Sequence, residues 1–393
     1  MDNLPAPPGA ARALRPFRIA ITDGELADLR ERLLDARLPD QIPGTGWDFG
    51  TDMAYLRQLV DYWATQYDWR THEARINSFD QYMTTIDDEN VHFIHAGSPE
   101  PDALPLILTH GWPGSIVEFL DVIEPLRNPR AHGGNPRDAF HVVAPSLPGY
   151  AFSGPTTAAG WNVRRIAQAW SVLMARLGYD RYGAQGGDWG SMVSRHLADV
   201  DRDHVCAVHV NMWTSMPSGA AGEMDGLTER ELAHLARSAE YLKTGSGYVA
   251  IQSTRPQTLA YGLNDSPAGL LSWIVEKFYA WTDNNGAVED AVSRDALLTN
   301  VALYWFTGTA GSAARLYYES ITSGAVSPPP ITHIPVGVAD YPQELFVAPR
   351  RWVERDNNVI HWAEQPRGGH FAAMEEPDLF VDDVRSFFRK VRA

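Results

Sequence analysis

The residues best placed for chemistry gather in Gly186-Gly187-Asp188-Trp189-Gly190-Ser191. An acidic residue stands among small ones, after Asp180-Arg181-Tyr182-Gly183-Ala184-Gln185 and before the helical run Met192 to Leu197. That is the layout of a nucleophile elbow: a strand ends, the backbone turns sharply and a helix begins, so one side chain stands above the sheet edge. Its neighbours must be small because a Cβ there would collide across the turn. A serine in this place attacks acyl carbon. A carboxylate, ionised near neutral pH, can instead displace a group from saturated carbon and leave an ester. A plain glycine-rich turn with a surface Asp has the same local sequence, so partners must decide.

An ester on Asp188 needs a base to activate water and an acid to orient that base, and in such folds the chain order is nucleophile, acid, histidine. His370, in Arg367-Gly368-Gly369-His370-Phe371, follows two glycines in a loop before the last helix. A packed loop histidine is the bland alternative. The acid should follow the preceding strand, where both Asp340 and Glu344 are available, and sequence physics separates neither. Water attack on the ester develops an oxyanion that needs backbone donors. The N–H of Trp189, directly after the nucleophile, is one. The N–H of Trp112, in His110-Gly111-Trp112-Pro113-Gly114-Ser115, is the other, and Trp112-Pro113 is a candidate cis peptide.

The elements around these residues alternate. Pro105 to Thr109 and Phe140 to Ala144 read as short buried strands, leading into the His110 loop and the Pro145-Ser146-Leu147-Pro148-Gly149-Tyr150 loop. Ile116, Phe119, Leu120 and Ile123 mark a helix, and Val163 to Leu177 another. Val205 to Val210, Ile334 to Ala339 and Val359 to Trp362 continue the strands, and Leu379 to Val391 closes on an amphipathic helix. Such alternation predicts an α/β fold: a mostly parallel sheet with helices on both faces and a ligand site at the strands' carboxyl ends. Before it, 1–16 reads as a flexible lead-in. Leu26, Leu29, Leu33 and Leu34 mark a helix capped by Thr22 or Asp23, and Met53 to Trp63 a second. Tyr82–Ile86 and Val91–His95 form a hairpin, with His92 and His95 as strand residues rather than metal ligands. Residues 214–321 read as an inserted helical lid, from Leu227–Leu242, Leu270–Phe278 and Leu297–Phe306.

Composition narrows the partners. With a formal net charge of −16, the chain is a poor ligand for nucleic acid or an anionic membrane. Its one cysteine, Cys206, sits in an apolar strand and precludes an intramolecular disulfide. Met1 to Pro16 reads as neither a signal peptide nor a membrane anchor, so a cytoplasmic location is the expectation. There is no His-Glu-x-x-His or phosphate-loop pattern, so no metal or cofactor is expected. Oligomeric state stays open, with a homodimer among the options.

Together, His110-Gly111-Trp112-Pro113, Gly187-Asp188-Trp189-Gly190 and Gly368-Gly369-His370-Phe371-Ala372-Ala373 resemble the microsomal-type epoxide hydrolases of the α/β-hydrolase fold. The resemblance runs from about Pro16 to the C-terminus and includes Phe17-Arg18-Ile19, where that family starts a segment wrapping the core. It implies Asp188 as nucleophile and His370 as base. The family's acid follows a Phe-Pro-x pattern, here Tyr341-Pro342-Gln343, which selects Glu344. It also implies two lid tyrosines that bind and protonate the epoxide oxygen: Tyr248, before Ile251-Gln252-Ser253-Thr254-Arg255-Pro256, and Tyr317, preferred over Tyr318. The implied organisation is 1–88 wrapping the core, 89–213 and 322–393 forming it, and 214–321 as lid. The implied reaction is cofactor-free hydrolysis of a small-molecule epoxide to a vicinal diol. A haloalkane dehalogenase shares the Asp ester but needs halide donors in place of the tyrosines. A ligand-binding homologue without catalysis would not need Asp188, Glu344 and His370 together.

Overall fold

The computed structural model describes residues 13–392. Positions 1–12 of the expected lead-in lie outside the described residues, but its end is a strand rather than loose chain. Strand β1 (Arg15–Phe17) pairs antiparallel with β2 (Gln81–Ile86) at the sheet edge. Pro16 suits that place, since an edge strand tolerates a residue with no N–H to give. Thr22 caps α1 (Asp23–Leu34) through a reciprocal box with Glu25. Helix α2 (Met53–Thr65) buries Leu56, Leu59, Val60 and Trp63. Helix α3 (Trp69–Ile76), capped by Asp68, was not expected from the sequence. Its buried face is only Trp69, Glu73 and Ile76, too short and too polar to show a period.

The hairpin of β2 with β3 (Glu89–Ala96) turns on Asp87 and Asp88, both in the left-handed region. His92 is buried between Ser146 and Gln81, and His95 meets the Tyr179 hydroxyl, so both serve the sheet's own hydrogen bonding. Beyond β3 come β4 (Leu104–Thr109), β5 (Phe140–Pro145), β6 (Tyr182–Gly186), β7 (Val205–Val210), β8 (Val336–Asp340) and β9 (Val359–Glu364). The sheet order is β1-β2-β3-β5-β4-β6-β7-β8-β9, antiparallel up to β5 and parallel from there on. Cys206 is half-buried on β7.

The helix expected through Ile116 to Ile123 is instead a 3₁₀ turn, Ile116–Phe119, followed by α4 (Ile123–Arg127). Pro125 explains the break: its ring would strike the carbonyl four residues back in a continuous helix, so the helix restarts with the proline in its first turn. Helix α5 (Val163–Arg176) then packs on α6 (Asp188–Val200). Between β7 and β8, after the loop 211–228, the α-helices of the described chain are α7 (Glu229–Glu240), α8 (Gly247–Thr254), α9 (Pro256–Asp265), α10 (Pro267–Trp281), α11 (Arg294–Thr307) and α12 (Ala310–Thr322). The run expected to be helical to Leu242 changes at Tyr241 into a π turn, Tyr241–Gly245. Short α13 (Arg350–Asp356) and α14 (Ala372–Glu375) precede α15 (Pro377–Arg389).

Helix α15 is seated on the sheet by glycines. A Cβ on Gly183 of β6 would lie 2.3 Å from the Phe388 ring, and one on Gly337 of β8 would lie 2.7 Å from the Phe387 ring. Both phenylalanines are fully buried, and each contributes about 2–3 kcal/mol of burial. Among the described residues no helix is long and apolar enough to cross a membrane.

Candidate active site

Strand β6 runs through Gly186 into extended Gly187, and Asp188 then takes φ 48° as the first residue of α6. That left-handed conformation, rare for a residue with a Cβ, is what lifts the carboxylate off the sheet. It depends on Gly190, where a Cβ would lie 1.9 Å from the carbonyl oxygen of Thr109 at the end of β4. The β4 end and the elbow therefore touch backbone to backbone, which brings the two sequence motifs together.

The Trp112 N–H donates to Asp188 Oδ1 at 2.8 Å. Trp189, the other expected donor, lies in the first turn of α6, whose amides have no intrahelical acceptor. Trp112-Pro113 is cis. His110 does no chemistry here. Its Nε2 accepts from the Leu147 N–H, so Nδ1 carries the proton and donates to the Gly111 carbonyl. Burial pushes its pKa down to about 4, keeping it neutral as a tie between two loops.

Asp188 Oδ2 faces His370 Nε2 at 3.4 Å, and His370 Nδ1 lies 2.8 Å from Glu344 Oε1. Glu344 is fully buried and also accepts from the Leu345 N–H. Of the two acids left open by chain order, Glu344 meets His370. Asp340 instead faces the helical insert: it holds His234 Nε2 at 2.7 Å and Arg230 Nε at 3.0 Å, both from α7. The His370 loop is tied down on its other side. His370 N–H donates to the Trp281 carbonyl, and a Cβ on Gly369 would come 2.5 Å from that same oxygen. Burial opposes the His370 cation, yet the charge of Glu344 and contact with Asp188 outweigh it and hold the imidazole well above its ordinary pKa.

Tyr248 and Tyr317 both come over Asp188, and both are buried. Tyr318, by contrast, is 41% exposed on the other side of α12. The Tyr248 ring stands edge-on to that of Tyr317 at 5.8 Å and stacks on Trp112 at 4.8 Å. Tyr317 sets its ring edge-on to Trp189 and Trp112. Burial first, then the neighbouring tyrosine and Asp188, raise both phenols well above the ordinary value, so both hold their protons at neutral pH. The cavity measures about 560 Å³ and is walled by Met192, Met212, Leu242, Val249, Ile321 and Phe346. Among the described residues no group of three or more metal-ligating side chains converges.

Several neighbours were not picked out from the sequence. The Glu118 carboxyl lies against Gly114 of the Trp112 loop, and burial pushes its pKa up to about 8. Ser115-Ile116-Val117-Glu118 has the spacing of a capping box, but the Ser115 hydroxyl accepts from the Val117 N–H instead. Glu375 holds the Phe371 and Asp283 amides and is likewise pushed by burial to about 8. Asn300 donates to the Pro113 carbonyl and Tyr304 to the Gly114 carbonyl, so α11 buttresses the Trp112 loop. Tyr241 places its hydroxyl 2.8 Å from that of Tyr248. Nothing local in the sequence marks these three.

The family model described as the epoxide hydrolase N terminus matches residues 14–119, and that of the alpha/beta hydrolase fold matches 105–228. A protein of Stigmatella aurantiaca, provisionally named as an epoxide hydrolase, is 46% identical, over 97% of this chain and 86% of its own length. Epoxide hydrolase 1 of Sus scrofa is 36% identical, over 97% of this chain and 90% of its own. Among solved structures, Aspergillus niger epoxide hydrolase superposes with a TM-score of 0.85 at 33% identity, covering 98% of both chains. The juvenile hormone epoxide hydrolase of Bombyx mori gives 0.87 at 30%, covering 97% of this chain and 95% of that one.

Proposed function

The chain belongs to the epoxide hydrolase family of the α/β-hydrolase fold and hydrolyses an epoxide to a vicinal diol; we propose that Asp188, His370, Glu344, Tyr248 and Tyr317 carry that reaction. The observation behind this is the division of labour on one carboxylate. Asp188 Oδ1 is held by the Trp112 N–H, while Oδ2 faces His370 beneath the two phenols.

Asp188 Oδ2 attacks an epoxide carbon, the C–O bond breaks, and the departing oxygen takes a proton from a tyrosine. Tyrosine suits this because it is protonated at neutral pH and does not compete as a base. An alkyl ester remains, with Oδ1 as its carbonyl oxygen. His370 then takes a proton from water, the resulting hydroxide adds to the ester carbon, and the Trp112 and Trp189 amides hold the negative Oδ1. The ester bond breaks, the leaving oxygen takes the proton from His370, the proton left on the released Asp188 carboxyl is given up and makes good, by way of solvent, the one the tyrosine lost, and the diol departs. The electrostatics supply the timing. In the free enzyme the two carboxylates favour imidazolium; once Asp188 is an ester its charge is gone, the His370 pKa falls, and the imidazole stands neutral and able to take a proton when water is activated.

Our reading divides the chain into a wrapping segment (1–88), a core in two parts (89–213 and 322–393) and a lid (214–321). The apolar cavity favours neutral, lipophilic epoxides. A net charge of −16 and a single cysteine support work in the cytoplasm. The test is diol formation from aryl and alkyl epoxides by wild type, Asp188→Ala and His370→Gln, with intact-protein mass on the same samples. Diol from wild type alone, with a substrate mass retained on His370→Gln, is the expected result. Unimpaired diol formation by Asp188→Ala would sink these assignments.

A further inference from the structure

We propose that Tyr241 is a third hydroxyl of the epoxide site, a positioning residue that donates to Tyr248 so that Tyr248 and Tyr317 can both aim protons at the epoxide oxygen. The inference rests on the assignment of the two acids above and extends it.

A phenol has one proton to give and lone pairs to accept with. In the free enzyme the Tyr241 and Tyr248 hydroxyls are 2.8 Å apart, and the Tyr248 ring stands edge-on to that of Tyr317 at 5.8 Å. When an epoxide oxygen enters and takes both the Tyr248 and the Tyr317 protons, Tyr248 can no longer donate to a neighbour. Tyr241 must then be the donor between the two. A phenol that accepts a hydrogen bond while donating one is polarised by it and becomes the stronger donor. When the epoxide C–O bond breaks, Tyr248 gives its proton to the departing oxygen. The tyrosinate left behind takes the Tyr241 proton, and Tyr241 recovers one from water at the cavity mouth.

The surroundings of Tyr241 fit a placed hydroxyl. It opens the π turn Tyr241–Gly245, a rare wider coil that swings the side chain off the line α7 would otherwise give it. Its ring is held edge-on by Phe346 at 5.3 Å and by Trp281 at 6.3 Å. Trp281 also carries the carbonyl that fixes His370. Gly245 leaves room for the ring, since a Cβ there would lie 3.2 Å from Tyr241 Cδ2. Tyr241 is only half-buried and lines the same cavity as Asp188, so it reaches both the interior acids and solvent.

The test uses the full chain carrying His370→Gln, in which the ester should accumulate, and follows its formation by rapid quench and intact mass. Adding Tyr241→Phe keeps the ring and removes one hydroxyl. Ester formation should slow about tenfold, with the largest loss on epoxides whose departing oxygen is most basic. In the otherwise wild-type chain, Tyr241→Phe should leave the hydrolysis rate of the formed ester unchanged. Gly245→Ala, which displaces the ring but keeps the hydroxyl, should slow ester formation in the same substrate-dependent way. Ester formation at the parental rate in both variants would overturn the inference while leaving the acids in place. A uniform slowing of both half-reactions, indifferent to the substrate, would also overturn it. An absence of any ester in the His370→Gln parent would instead count against the Asp188 and His370 assignments.

Discussion

Replacing Glu344 with Gln should block the second half of the reaction and spare the first. The amide keeps the volume and an oxygen that can accept from both the His370 Nδ1–H and the Leu345 N–H, so only the charge is lost. Both partners are almost wholly shielded from solvent, with side-chain exposures of 2% and 0%, so water does little to screen the pair. With 2.8 Å between the bonded atoms, the charge centres stand about 4 Å apart. At an effective dielectric near 20, that pairing is worth about 4 kcal/mol to the imidazolium formed as water is activated. Ester hydrolysis should therefore slow by about a thousandfold. Ester formation needs no imidazolium and should change far less. Mixed rapidly with an epoxide and quenched, the variant should give a burst of covalent adduct near one per chain, followed by slow diol release. The control is Asp340→Asn. Asp340 binds Arg230 and His234, so its loss should lower Tm and loosen the helical insert without slowing ester hydrolysis selectively. If Asp340→Asn accumulates ester and Glu344→Gln does not, the charge has been assigned to the wrong acid.

Other consequences can be checked with the same assays. A Cβ at position 111 would come 2.1 Å from Asp188 Oδ1, so Gly111→Ala should displace the nucleophile and abolish adduct formation even where circular dichroism shows a folded chain. Tyr317→Phe should slow ester formation by about a hundredfold, whereas Tyr318→Phe, altering a side chain 41% exposed, should leave single-turnover rates unchanged. Ester hydrolysis requires neutral His370, so its rate should rise with pH. Its midpoint should lie below the pKa of His370 in the free enzyme, because esterified Asp188 no longer stabilises the cation. An NMR titration of free His370 set beside the single-turnover pH profile tests this, and a midpoint at or above the free-enzyme value would refute the timing argument.

The sequence carried by itself whatever depends on local rules. The elbow is legible because only glycine fits beside a strand-to-helix turn of that sharpness, and Gly190 does meet the Thr109 carbonyl. Strand and helix alternation from residue 105 onward follows from hydrophobic period, as does the capped α1. Local rules fell short where charge hid the period, as in α3, or where a single proline redirected a run, as at Pro125. The choice between Asp340 and Glu344 lay outside physical reading of the sequence and needed a family resemblance, because both follow the same strand within a few residues. Only the packed molecule shows why they differ: the end of β8 points Asp340 at α7, and the turn beyond it brings Glu344 under His370. The same holds for Tyr241, Asn300 and Tyr304, whose partners lie on segments that meet only after folding. A nucleophile announces itself through the backbone it requires. The groups that tune it are set by side-chain contacts across long loops, and those exist only once the core has closed.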